Sequence, residues 1–206
     1  MSTSPAAPVA MDFIRAEISA SMQVKQALLA DDALLEQLAR LAEACLGALR
    51  NGGKVIFAGN GGSFADAQHL SAEFTSRFMF DRAPLASLAL GTNSSAISAI
   101  GNDYGYELVF ARELQGIARP GDIFIPISTS GNSANILAAV KMANSLGVTT
   151  FAWTGASGGQ LKPLCECLCM PSNETARIQE CHILMGHILC GMVETAYFRQ
   201  DQASHV

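Results

Sequence analysis

The chain has 206 residues, half of them hydrophobic and 15% charged, with a formal net charge of −5 and a sequence pI near 5.3. That length suits one domain with a real core, and the low charge leaves part of the surface free for partner subunits to cover. The acidic balance excludes a binder of nucleic acid or anionic membrane held by bulk charge, so an anionic ligand must be gripped by backbone amides, helix N-termini, hydroxyls or a metal.

Residues 1–10 lack the basic and apolar regions of a signal peptide and read as a disordered tail. No apolar run approaches the ~20 residues that cross a bilayer. Residues 11–50 have helical period, interrupted at Asp31-Asp32, where an N-cap opens a second helix; Gly52-Gly53 ends it. A β-rich run at 54–58 leads through Gly59-Asn60-Gly61-Gly62-Ser63 into a helix over 64–78. A strand follows at 84–90, then helices at 94–100 and 106–118 around the turn Gly101-Asn102-Asp103. The pattern recurs with a strand at 122–127, a hydroxyl-rich loop, a helix at 134–146, strands at 148–153 and 165–170, and a closing helix over 178–198. Strands alternating with helices imply an α/β fold, a Rossmann-like parallel sheet with helices on both faces. The helical segment 11–53 precedes the main domain, 54–198, and a tail occupies 199–206. Ligands of such sheets bind beyond the strand C-termini, where both polar loops fall.

Six cysteines without a secretion signal point to a reducing cytoplasm. Cys165, Cys167 and Cys169 alternate and share one strand face. Paired C-x₂-C spacing, the mark of a zinc ribbon, is missing there, so they read as buried small side chains.

The second loop, Ser128-Thr129-Ser130-Gly131-Asn132-Ser133, follows a strand and opens a helix. Unpaired N–H groups and the positive end of the helix dipole make such a place an anion site. Ser128, Thr129, Ser130 and Ser133 add four hydroxyls, more than helix capping requires, and Gly131 lets the backbone close around an oxyanion. The absence of lysine fits a phosphate that is bound without being transferred. The first loop departs from the dinucleotide pattern G-x-G-x-x-G because Phe64 stands where a small residue is needed, so no nucleotide cofactor is expected. Asn60, Gly61, Gly62 and Ser63 suit a polyol instead.

His69 and Glu73, spaced i, i+4, share a helix face one turn beyond that loop. The last helix carries Gln179, His182 and His187. His69, Glu73 and His187 are candidate zinc ligands, with Gln179 as a fourth. Gln179 and His187 are eight residues apart, ~12 Å along an ideal helix, whereas zinc bonds are ~2 Å. Both reach one ion only if Gln179 leaves the regular helix or comes from a neighbouring subunit. The second is expected, a site shared across an interface.

The segments GNGGSFADAQHLSAEF (59–74), AIGNDYGYELVFAR (99–112), STSGNSANILAA (128–139) and RIQECHILMGHILCGMVE (177–194) together resemble the sugar isomerase (SIS) family, specifically its phosphoheptose isomerases. The resemblance covers most of 54–198 and implies a single SIS domain in a homotetramer with active sites between subunits. It implies one zinc per subunit at His69, Glu73, Gln179 and His187. Substrate contacts would be Asn60, Gly61, Gly62, Asn102, Asp103, Glu73 and Gln179, with Ser128, Thr129, Ser130 and Ser133 cradling phosphate. Arg77 matches an arginine near the family's site. Many members carry an acidic residue where this chain has Ala176, which implies a varied grip on the open sugar chain.

The implied reaction converts D-sedoheptulose 7-phosphate to D-glycero-D-manno-heptose 7-phosphate, the first step toward ADP- or GDP-heptose precursors. It needs a base, a partner acid and stabilisation of a developing oxyanion; Glu73 is the candidate base and His187 the candidate acid. The rival reading is a non-catalytic protein on the same fold, binding sugar phosphates or associating with a replication initiator. Glu73 and His187 together favour the enzyme.

Overall fold

A computed structural model describes residues 6–203. Helices α1 (Ala6–Leu29) and α2 (Asp32–Arg50) open the chain. Asp31 caps α2 by accepting from the Leu34 amide at 3.1 Å, the N-cap expected from the sequence. There follow β1 (Val55–Gly59), α3 (Gly62–Thr75), β2 (Ser87–Ala89), α4 (Ser94–Tyr104), α5 (Val109–Ile117), β3 (Ile123–Ile127), α6 (Ala134–Ser145), β4 (Thr149–Thr154), β5 (Glu166–Cys169) and α7 (Thr175–Ala203). Helix α1 begins inside the stretch 1–10 expected to be a disordered tail, and α7 extends into 199–206. Residues 1–5 and 204–206 lie outside the described residues.

All five strands are parallel, in the order β2-β1-β3-β4-β5. Successive side chains point to opposite faces of a strand, which divides the core in two. Val55, Phe57, Ile125 and Trp153 pack with α2, α3 and α7, while Ile56, Ala58, Phe124 and Ala152 pack with α5 and α6. The winding reverses between β1 and β3, so ligands are expected outside the ends of those two strands. Their starts are pinned by Asp122, which is 2% exposed and accepts from the Lys54 amide at 3.0 Å and from Lys54 Nζ at 2.7 Å.

Two expectations need correction. The turn at Gly101-Asn102-Asp103 does not form, and α4 runs through it to Tyr104. The residue that breaks the helix is Gly105, whose φ of +93° suits glycine. Cys165, Cys167 and Cys169 are half-buried, because β5 is an edge strand whose face is only partly covered by helix. All six cysteines are free thiols.

His182 is fully buried under β4, where its Nε2 donates to the Thr154 carbonyl at 3.3 Å. Burial pushes its pKa from 6.5 down to about 4, with that hydrogen bond opposing. The fold therefore favours the neutral ring. The resulting stability is complete above pH 6.5 and is lost as pH falls toward 4. The loss amounts to about 3 kcal/mol at one pKa unit per 1.36 kcal/mol. Urea melts across that window should show a smaller loss in His182→Gln than in the natural chain; equal losses would contradict this account.

Candidate active site

The two polar loops meet beyond the ends of β1 and β3. Asn60, just past β1, exchanges side-chain hydrogen bonds with Asn135 in the first turn of α6, both at 2.9 Å. Asn135 is 4% exposed. The serine loop is fixed from beneath: the Ser128 amide donates to Trp153 O at 2.9 Å and the Gly131 amide to Ser128 O at 3.0 Å. Ser133 stands at the N-cap of α6 without capping it; its hydroxyl meets that of Ser128 at 3.0 Å. In the first turn of α6 the Ile136 amide donates to Asn135 Oδ1 at 2.9 Å, and the amides of Ala134 and Asn135 keep their donors for a ligand.

These loops enclose a hollow of about 320 Å³ lined by Asn60, Gly61, Gly62, Ser63, Ile127, Ser128, Thr129, Ser133, Thr175 and Gln179. Three helices, α3, α6 and α7, start at its wall. Convergent N-termini and hydroxyls without a cation are what an acidic protein can use to hold a phosphate dianion. Ser130 lies outside this lining and is exposed, its hydroxyl accepting from the Asn132 amide at 3.2 Å. Thr175 was not picked out from the sequence. Its signal was the four-residue spacing to Gln179, which puts both on one face of α7.

The second cluster lies where α3 crosses α7. His69 Nε2 is 2.9 Å from His187 Nε2 and 3.3 Å from Glu73 Oε1. One potential ligand atom from each of the three residues lies within 4.8 Å of the others. Two imidazoles and a carboxylate are a donor set for zinc that leaves further positions open, so the residues present fit that metal. The helices can approach because Gly186, next to His187, faces Leu70, next to His69; a Cβ on Gly186 would come within 2.5 Å of the Leu70 side chain. Gly62 likewise makes room for Gln179, whose Nε2 lies 2.7 Å from where a Cβ would be. The Phe78 ring stacks on His187, centroids 5.5 Å apart and planes at 22°. Burial holds Asp66, one turn before His69, above the usual carboxylate range, with His69 opposing.

The expected residues therefore fall into separate groups within one chain. Gln179 stays inside regular α7 and lines the hollow between the two loops, about 12 Å along the helix from His187. Asn102 and Asp103, hydrogen-bonded to each other at 2.8 Å, line a different shallow hollow on α4 with Ser94, Ser95, Ser98 and Ala99. Arg77 is exposed two residues beyond α3.

A family model of the SIS domain matches residues 20–155. A phosphoheptose isomerase of Aneurinibacillus thermoaerophilus is 52% identical over 194 residues, 94% of this chain and 98% of that protein. Two solved phosphoheptose isomerase structures superpose well. That of Francisella tularensis has a TM-score of 0.85 and 37% identity, covering 90% of this chain and 98% of its own. That of Neisseria gonorrhoeae has a TM-score of 0.83 and 41% identity, covering 90% and 99%.

Proposed function

The chain belongs to the SIS domain family, among its phosphoheptose isomerases, and on that premise we propose how its own residues isomerise sedoheptulose 7-phosphate. It is a ketose–aldose isomerase acting on a sugar phosphate. The observation that carries the mechanism is the layout of α3: the phosphate hollow adjoins its first residue, Gly62, and the His69–Glu73–His187 cluster lies seven and more residues on. Seven residues span about 10 Å of helix. An open sugar chain anchored by phosphate at the hollow presents C1 and C2 at the cluster.

Ser128, Thr129 and Ser133 and the amides at the starts of α3 and α6 bind the phosphate. Asn60 orients the sugar hydroxyls. The Glu73 carboxylate takes the proton from C1 while His187 protonates the C2 carbonyl oxygen, giving the cis-enediol. Glu73 then returns its proton to C2 and His187 takes the proton from the C1 hydroxyl, which leaves the aldose. His69, Glu73 and His187 would hold zinc, which would supply polarisation of the carbonyl and hydroxyl oxygens.

Gln179 of a neighbouring subunit completes the cluster in a homotetramer. This is supported by the distance between Gln179 and His187 along α7 and by apolar side chains left exposed on α1: Phe13 at 66%, Ile14 at 48%, Ile18 at 57% and Met22 at 56%. Asn102 and Asp103 reach substrate across the same interface. Six free thiols support a cytoplasmic setting.

Incubation with sedoheptulose 7-phosphate, before and after dialysis against a chelator, tests the reading. Turnover should be lost on chelation and return with zinc. Full turnover in metal-free protein would remove the metal from the mechanism. Absence of turnover at any metal loading would favour the non-catalytic alternative.

A further inference from the structure

The end of α3 is tied to α7 by a buried ion pair. Glu194 is 1% exposed, and the Arg82 side chain 3%. Glu194 accepts from Arg82 Nε at 2.8 Å, the Phe78 amide at 2.9 Å and the Met79 amide at 2.7 Å. The remaining guanidinium nitrogens donate to the carbonyls of Glu73 at 2.7 Å, Phe74 at 2.7 Å, Ser76 at 3.0 Å and Ala83 at 3.0 Å. The last carbonyls of a helix have no partners of their own, and one arginine here serves several of them.

A buried ion pair is weak evidence of stability, since desolvation offsets much of the attraction. What this pair specifies is position. Arg82 grips the backbone of Glu73 itself. Glu194 stands on α7 two turns after His187 and folds the segment after α3 back, so that the Phe78 ring lies on the His187 imidazole.

We propose that Arg82 and Glu194 are positioning residues for proton transfer, fixing Glu73 through its carbonyl and His187 through Phe78. The proposal rests on the assignment of Glu73 and His187 above. Neither member of the pair touches substrate, so its effect belongs to the alignment of base and acid. The phosphate hollow, at the other end of α3, is spared.

Two variants test it. In Glu194→Gln the volume is kept, but an amide NH₂ must oppose one of three N–H donors. Its kcat should fall about 100-fold, the scale of a 1 Å misplacement, while KM moves less than about threefold. Phe78→Leu keeps the ion pair and removes the stack; its kcat should fall about tenfold with its melting temperature unchanged. Zinc retained on dialysis without substrate should weaken at least about tenfold in Glu194→Gln, as when the supports of metal ligands are lost. Wild-type kcat in both variants, or a loss confined to KM, overturns the proposal. So does a loss in Glu194→Gln alone that tracks its melting temperature. If the natural chain fails to turn over sedoheptulose 7-phosphate, the substrate reading falls, and zinc retention still reports whether the pair sets the geometry of the cluster.

Discussion

Glu73→Gln is expected to cut turnover about 10³-fold, within the range attributed to general acid–base catalysis, while the protein keeps its fold and its grip on phosphate. The substitution preserves shape and removes the group that accepts a proton together with one carboxylate of the His69–Glu73–His187 set, so zinc content is measured beside turnover. Glu73 is well placed to act as that group: its side chain is 21% exposed, and its Oε1 lies 3.3 Å from His69 Nε2. A 10³-fold loss corresponds to about 4 kcal/mol of transition-state stabilisation. Proton exchange at C1 of sedoheptulose 7-phosphate, followed by NMR in deuterated water, reads the chemical step directly. Titration with inorganic phosphate reads the hollow separately. Exchange within tenfold of the natural chain would remove Glu73 as the base.

Gly131→Ala should disable the phosphate loop from the opposite end of the site. Gly131 has a φ of +66°, a region that costs other residues about 1–3 kcal/mol. Space is lacking as well: an added Cβ would overlap the Gly158 carbonyl oxygen and lie 2.7 Å from its carbon and 3.0 Å from Gly159 Cα. All three are backbone atoms, which cannot swing aside as a flexible side chain can. The strand-end segment 155–161 also buttresses the loop, through Gly155 N to Thr129 O at 3.0 Å and Leu161 N to Gly131 O at 3.2 Å. The variant must therefore move one loop or the other. Phosphate affinity and kcat/KM should fall together by about 100-fold, from displacement of the anchoring amides and hydroxyls. Unchanged KM in a folded Gly131→Ala protein would mean that the loop does not hold the phosphate.

Much of the site was legible because its chemistry is local in sequence. Four hydroxyls within six residues, and a histidine and glutamate one turn apart, declare themselves through spacing alone. Asn135 did not, since it gains meaning only from Asn60, brought to it from elsewhere in the fold; Thr175 carried the same kind of spacing signal, four residues before Gln179, and was overlooked. The loop 101–103 was misread because glycine next to asparagine is a turn signal. The chain instead spends its break at Gly105, and Gly101, with open space around a hypothetical Cβ, sits quietly within α4. The three alternating cysteines were read as buried because free cysteine usually is. Their strand is at the edge of the sheet, a position that pairing decides and composition does not.

By itself the sequence determined the alternating α/β pattern, the strand-loop-helix anion site and the helix face shared by His69 and Glu73. Each follows from periodicity and backbone chemistry over a few residues. The tertiary structure alone decided that the winding reverses between β1 and β3, bringing Asn60 to Asn135. It decided that Gly186 lets α7 close on Leu70, so that His187 meets His69 at 2.9 Å across 118 positions of sequence. It also sent Gln179 to the phosphate hollow and His187 to the cluster. A rigid helix of fixed rise cannot deliver both to one point, so a single chain keeps them apart.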